Sequence, residues 1–283
     1  MMNLESCKIC GGSKLKQFAH VAECRNCGTL MFYPYPPEDE DHTRKVVERK
    51  QWWLDWYCES SFRNHVNFTN MLRFTMNGAD TFQNYNILDY GGGGGQFALV
   101  ALSHFPNSQI YITDKEDSAL LPQFGCINRQ ILFDQFEDDP TWFDFIFLND
   151  VFEHVQYPGK VLRTLIRKLK KGGKIFIDTP KSFWLYPVLR FFWNNLYLKL
   201  CQATINDAHL QIWTRTSFKY IITKVGLKII RYRELSEFTM PPNYYLKNMK
   251  VSNHLVKTLG HLFYYSARFT ANNKIMALMS LDD

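Results

Sequence analysis

The run Asn86-Ile87-Leu88-Asp89-Tyr90-Gly91-Gly92-Gly93-Gly94-Gly95-Gln96-Phe97-Ala98 decides how this 283-residue chain is read. A short apolar strand leads into a carboxylate, five consecutive glycines and the start of an apolar helix. Five adjacent glycines lose much backbone entropy on ordering and pack no side chains, so they belong where the chain needs φ > 0 or where a ligand lies on bare backbone. A hairpin needs only one or two. The run therefore predicts a cofactor loop joining a first strand to a first helix over Phe97 to Phe105.

Two cofactor classes use such a loop. A dinucleotide site places its pyrophosphate over the helix N-terminus behind G-x-G-x-x-G/A, a spacing that Gly93, Gly95 and Ala98 satisfy. Asp89 argues against it. A carboxylate at the strand end repels a pyrophosphate, whereas S-adenosylmethionine brings an ammonium, a sulfonium and no phosphate. With Asp89, Gly91, Gly93 and Gly95 in the order D-x-G-x-G-x-G, the stretch resembles the first motif of the class I S-adenosylmethionine-dependent methyltransferases. The resemblance implies an α/β, doubly wound, seven-stranded methyltransferase sheet.

Outward from the loop, Gln109 to Asp114 reads as a second strand ending in an acid placed to accept hydrogen bonds from ribose hydroxyls. Cys126 to Phe133 reads as a third strand ending near Asp134, for which the resemblance implies an adenine contact. Phe143 to Pro158 reads as a buried strand and a turn that carries Glu153-His154-Val155, followed by a helix from about Gly159 to Lys171, the pair Gly172-Gly173, and a strand from Lys174 to Thr179-Pro180. The order strand, E-H-V-x-x-P, helix, L-K-K-G-G, strand, T-P is similar to the fourth and fifth motifs of the same superfamily. It looks most like the branch that includes the ubiquinone-pathway O-methyltransferase and the zinc-ribbon sugar C-methyltransferases. The implied cofactor set is Asp89, Gly91, Gly93, Gly95, Asp114, Asp134 and Asn149. Arg163, Arg167, Lys168, Lys170 and Lys171 fall on the later turns of the predicted helix, where cations complement its dipole. A helix begins at Trp213-Thr214 and ends near Gly226, Leu227 to Tyr232 is a sixth strand, and Asn273 to Met279 is a seventh that the family inserts antiparallel.

The N-terminus carries a second signal. Cys7, Cys10, Cys24 and Cys27 form C-x2-C-x13-C-x2-C, with glycines after both pairs. Two such turns present four thiolates to one structural zinc, and four sulfurs leave no open position for catalysis. So short a segment lacks a core of its own and draws its folding free energy from the metal. No thioredoxin-like βαβ pattern surrounds either pair. The expected organisation is a zinc ribbon over 1–35, a linker and helical cap over 36–80, and the methyltransferase domain over 81–283 with an aromatic insert at about 181–212. The resemblance implies that Trp52 to Tyr57 cover the cofactor; a core cluster bridging ribbon and domain explains them equally.

Composition bounds the remainder. A net charge of +6 indicates mild attraction to anions and selects no particular one. No basic, apolar leader opens the chain, no uncharged apolar run reaches about eighteen residues, and the paired cysteines suit a reducing cytoplasm. Residues 182–200 are aromatic, amphipathic and flanked by cations. They read as a lid over the acceptor pocket, or alternatively as a helix in peripheral contact with a membrane. The ribbon's four cations, Lys8, Lys14, Lys16 and Arg25, are too few to favour nucleic acid.

Ligands of open α/β sheets bind beyond the strands' carboxyl ends, where Glu153 and His154 fall. His154 is the candidate general base, with Glu153 as its partner. In zinc-ribbon sugar C-methyltransferases the matching pair lies at the reacting carbon. His209 either returns to the pocket mouth or caps the next segment, and capping is preferred. The expected reaction is methyl transfer from S-adenosylmethionine to a small or glycan-linked acceptor, with a sugar or nucleotide-sugar leading. O-methylation of a lipid or quinone is the enzymatic alternative. An inactive methyltransferase-fold scaffold or nucleic-acid adaptor is the alternative from another class.

Overall fold

The computed structural model describes residues 6–18, 20–34, 64–114, 129–182, 191–192, 209–237, 258, 260–262, 265, 269 and 271–281. After a three-stranded N-terminal meander, β1 (Leu15–Phe18), β2 (Val21–Cys24) and β3 (Leu30–Phe32), the helix α1 covers 64–75. The main sheet is then laid down in alternation: β4 (Asn86–Tyr90), α2 (Gln96–His104), β5 (Gln109–Asp114), β6 (Arg129–Leu132), β7 (Phe143–Asn149), α3 (Pro158–Arg167) and β8 (Leu169–Pro180). The chain finishes with β9 (Gln211–Ile212), α4 (Arg215–Lys224), β10 (Leu227–Leu235) and β11 (Lys274–Leu281).

Seven strands pair in the order β10-β11-β8-β7-β4-β5-β6. The five from β6 to β8 run parallel, and β11 enters antiparallel between β8 and β10. From β4 the chain winds outward to β6, then returns to lay β7 on the other side of β4. This reversal leaves a crevice at the carboxyl ends of β4 and β7, where Asp89-Tyr90 and Asn149-Asp150 lie.

Alternation along each strand supplies both faces of the sheet. Leu88, Ile146, Leu148, Ile175 and Ile177 pack with Leu162 and Leu165 of α3 and Phe218, Ile221 and Ile222 of α4. Ile87, Ile112, Phe145, Phe147 and Phe176 turn the other way, onto Met71 and Leu72 of α1 and Phe97, Ala98 and Ala101 of α2. Strands buried on both sides read as near-continuous apolar runs, which is why Phe143-Asp144-Phe145-Ile146-Phe147-Leu148 is legible as a central strand.

Two local expectations are corrected. The helix predicted to reach Lys171 stops at Arg167, because Phe143 N–H donates to the Lys168 carbonyl (2.8 Å) and Leu169 pairs with Phe143. Residues 170–173 instead lie inside β8, where the pairing with β7 shifts register. A Cβ at Gly173 would lie 2.9 Å from the carbonyl oxygens of both Lys170 and Phe143, so the backbone there requires glycine. The cationic cluster consequently divides. Arg163 and Arg167 remain on α3, Lys168 donates to the Asp139 carbonyl, and Lys170 pairs with Asp144 at 2.7 Å.

The N-terminal meander is joined to the main domain through a strand that follows the insert. Leu30 and Met31 pair with Ile212 and Gln211, so β9 becomes the fourth strand of the small sheet in the order β1-β2-β3-β9. Cys7, Ile9, Cys24, Cys27 and Met31 share one apolar cluster with Trp213 and the α3/α4 face of the large sheet. Residues 35–63 and most of the insert fall outside the described residues, and with them the expectations for Trp52 to Tyr57 and for residues 182–200. Among the described residues no helix is long and apolar enough to cross a membrane.

Thr214 locks this junction. Its hydroxyl donates to the Cys27 carbonyl (2.7 Å) and accepts from Ser217 N–H (3.1 Å) as the N-cap of α4. Thr214→Val keeps the shape and removes both bonds, so urea unfolding should register a loss of about 1–2 kcal/mol. Thr214→Ser should recover most of it; equal stability of the Val variant and the parent would contradict this role.

Candidate active site

The glycine loop takes its shape from backbone no other residue accommodates. Gly91, Gly93 and Gly95 have φ of 75°, 48° and 79°. A Cβ at Gly91 would come within 2.6 Å of Val151 Cγ2, and one at Gly92 within 2.6 Å of Asp89 Oδ2. Gly91 N–H donates to the Thr113 carbonyl (2.7 Å) and Gly93 N–H to Asp114 Oδ2 (2.8 Å), folding the loop back over the end of β5. Gly95 is the N-cap of α2, whose first amides receive no side-chain cap. Asp89, Asp114 and three glycines predicted as ligands are thus brought to one place.

Asp89 is 2% exposed, and among the described residues its Oδ2 has no hydrogen-bond partner; Asn149 stands beside it at the end of β7. Burial, and after it the charge of Asp114, push the Asp89 carboxyl up to about 8, which the neighbouring Asn149 amide partly offsets. Two carboxylates around a bare backbone turn make a pocket short of positive charge, and a cationic ligand answers that shortage. Asp134 stands further along the same edge, exposed on a single 3-10 turn (Phe133–Gln135) after β6.

Across the crevice, the loop after β7 carries Glu153 and His154. Glu153 is buried (1% exposed), its Oε2 accepting from the Thr179 hydroxyl (2.9 Å) and its Oε1 lying 3.7 Å from His154 Nε2. Burial, then the charge of Asp150, raises its carboxyl to about 7, with His209 acting in the opposite sense. The His209 ring centre is 4.9 Å from that of His154. The preferred expectation that His209 caps the next segment is therefore corrected: it joins the Glu153-His154 pair. The three groups are close enough to share a proton or a cation.

A further set of side chains escapes the sequence reading. Lys274, buried at the start of β11, places its ammonium 3.0 Å from Asp150, 2.9 Å from Asp178 and 3.2 Å from Glu237. Burial disfavours its charge, but these carboxylates outweigh it and hold the ammonium ionised. Asp150 keeps φ at 51°, strained for a non-glycine residue. Asn67 of α1 donates to Glu237 (2.8 Å), tying the helix into the network. The available signal is Asp178 at the carboxyl end of a buried parallel strand, the same signal that marks Asp89 and Asp114.

In the N-terminal meander, Cys7 and Cys27 sulfurs are 3.7 Å apart and those of Cys10 and Cys24 3.5 Å, with all four within 4.8 Å of one another. Amides of Ile9 and Gly12 point at the Cys7 and Cys10 sulfurs (3.4 Å each). The contact from Cys7 lowers the Cys27 thiol to about 5, while the same contact and burial push Cys7 up.

Comparison with known proteins agrees with this architecture. The family model described as a methyltransferase domain matches residues 61–232. The mitochondrial ubiquinone biosynthesis O-methyltransferase of Schizosaccharomyces pombe is 25% identical over 224 residues, covering 74% of this chain and 73% of that protein. Among solved structures, the plantazolicin methyltransferase BpumL, in complex with a monoazolic desmethylPZN analog and SAH, superposes with a TM-score of 0.54 at 14% identity, over 85% of this chain and 93% of that one. The YcgJ protein from Bacillus subtilis gives 0.51 at 17% identity, over 76% of this chain and all (100%) of that one. Matched over more than half its length, this chain belongs to the methyltransferase-domain family and is an S-adenosylmethionine-dependent methyltransferase.

Proposed function

We propose that the chain methylates a hydroxyl oxygen of a small-molecule acceptor, with the Asp89 loop holding the cofactor and the Glu153-His154 pair facing the acceptor. The observation that carries this reading is Glu153, a buried carboxyl raised to about 7 and set between the Thr179 hydroxyl and the His154 ring. S-adenosylmethionine, when bound, supplies an electrophilic methyl group on a sulfonium. Asp89, the glycine turn of Gly91, Gly93 and Gly95, Asp114 and Asn149 would hold it, with Asp134 beside the adenine. The Asp89 oxygen, buried and without a partner among the described residues, and the side-chain-free turn fit that cationic ligand.

His154, its side chain 35% exposed, takes the acceptor's proton. Glu153 behind it stabilises the imidazolium that results, and Thr179 fixes the carboxyl's orientation. Enclosing donor and acceptor in one crevice supplies the remaining acceleration by proximity. The similarity to the ubiquinone biosynthesis O-methyltransferase supports oxygen as the methylated atom. A sugar or nucleotide-sugar acceptor is the second reading, favoured by the four-cysteine module being built onto the acceptor side through β9.

The four thiols hold one structural zinc in this reading. At a Zn–S distance of about 2.3 Å, a tetrahedral site needs sulfurs about 3.8 Å apart, and the two close pairs stand at 3.7 and 3.5 Å. The amides aimed at Cys7 and Cys10 suit thiolates.

Two outcomes test the site. In the free protein Asp89 titrates near 8, so a cationic ligand that favours the carboxylate displaces its proton. Binding of S-adenosylmethionine at pH 7 should release close to one proton, read from the dependence of calorimetric enthalpy on buffer ionisation heat. Affinity should rise between pH 6 and 7.5, and Asp89→Asn should abolish both effects; proton-neutral binding would contradict the assignment. For the acceptor side, release of S-adenosylhomocysteine is measured against dihydroxy-aromatic, prenylated phenol and nucleotide-sugar acceptors. With the responding acceptor, His154→Ala should lower kcat by about 10²- to 10³-fold and leave cofactor affinity within about twofold. Full activity of that variant would remove His154 from the mechanism.

A further inference from the structure

The segment His209-Leu210-Gln211-Ile212-Trp213 lies between the four-cysteine module and the loop carrying Glu153 and His154, and bonds to both. Toward the module, Met31 and Leu30 pair with Gln211 and Ile212, and Phe32 N–H donates to the Leu210 carbonyl (2.9 Å). Toward the loop, the amides of Leu210 and Gln211 both donate to the Glu153 carbonyl, at 3.0 and 3.2 Å. Trp213 stacks on Phe152 with ring centres 4.6 Å apart and planes 7° from parallel.

The Gln211 side chain completes this junction. It is fully buried (0% exposed), and its amide nitrogen donates to the carbonyls of Phe152 and Val155, each at 2.8 Å. One side-chain amide thus spans the two residues that bracket Glu153 and His154, while its own backbone is paired to the cysteine module. A side chain without two N–H donors loses both bonds, one of them to a buried carbonyl, and loosens the loop. Two residues before Gln211, His209 places its ring centre 4.9 Å from that of His154.

We propose that Gln211 is a positioning residue for methyl transfer, and that the metal-loaded cysteine module acts through it, holding Glu153, His154 and His209 in register. Among the described residues the module pairs with this segment and the segment with the Glu153-His154 loop, while the glycine loop meets that loop only one step further on, where Val151 packs against Gly91, so the coupling falls first on the acceptor side. The proposal rests on the acceptor-side reading of Glu153 and His154, and its test measures their placement without needing an acceptor.

The experiment uses the full chain, checked by elemental analysis for one zinc, in three states: parent, Gln211→Met, and parent stripped of zinc by a chelator. S-adenosylhomocysteine affinity is measured by calorimetry. The histidine Cε1–H resonances are followed by NMR, with His154→Gln and His209→Gln assigning them, and exchange of the His154 amide, which donates to the Val151 carbonyl at 2.9 Å, is followed in parallel. Both perturbations should leave S-adenosylhomocysteine affinity within about twofold, shift the His154 and His209 resonances, and speed exchange of the His154 amide at least tenfold. Unmoved resonances and unchanged exchange in either perturbed state would overturn the proposal. Loss of S-adenosylhomocysteine binding in step with the histidine changes would overturn it too, because the module would then be supporting the whole fold. Should Gln211→Met fail to fold, the zinc-stripped parent distinguishes the same outcomes by itself. If the resonances move as described but His154→Ala proves fully active, the acceptor-side reading fails and the coupling stands.

Discussion

At the carboxyl end of the central strand, Asp89 is buried with one oxygen that no donor among the described residues reaches, and the surrounding backbone is shaped to that carboxylate. Gly92 has no room for a side chain because Asp89 occupies it. Gly93 bonds to Asp114, which brings a second carboxylate to the same turn and raises the cost of charging the first. The strand order places this acid pair at the reversal point of the sheet, beside the end of β7. A site that is costly to charge when empty is suited to a cation, and the methyl donor carries positive charge where a dinucleotide carries negative.

The proposed acceptor side depends on a different set of forces. Its loop leaves β7 through Asp150 in a left-handed conformation, and Lys274 fixes that residue with an ammonium shared among Asp150, Asp178 and Glu237. Removing one partner of such a buried group typically costs about 3–5 kcal/mol. The antiparallel β11 therefore does more than widen the sheet: its first residue delivers the charge that anchors the turn. Further along, the same loop is held by β9 and Gln211 and by the Phe152-Trp213 stack. In the proposed site, one wall of the crevice is built on glycine geometry and the other on long-range polar contacts.

That division explains what could be read from the sequence. Asp89, Asp114, Glu153 and His154 each follow an apolar strand at its carboxyl end, so local pattern and a general rule of open sheets suffice to find them. The strand Gln109–Asp114 begins and ends where it is expected for the same reason. Lys-Lys-Gly-Gly at 170–173 carries a local helix-stop signal, but the pairing of Leu169 with Phe143 ends the helix four residues sooner. His209, Gln211 and Lys274 find their partners across long sequence separations, and no periodicity announces such contacts. The two-residue strand β9 is shorter than any alternation pattern can register, so the cysteine module reads as an independent unit when its fourth strand comes from beyond the insert.

The proposed cofactor wall rests on Asp89 committing the glycine loop to a cationic methyl donor. Calorimetric titration of the protein with S-adenosylmethionine and with NAD, repeated on Asp89→Ala, is the sharpest check of that commitment. Micromolar binding of S-adenosylmethionine that weakens at least tenfold in the variant is expected, with no detectable binding of NAD to the parent. NAD binding to the parent, or S-adenosylmethionine affinity unchanged by Asp89→Ala in a folded protein, would contradict it.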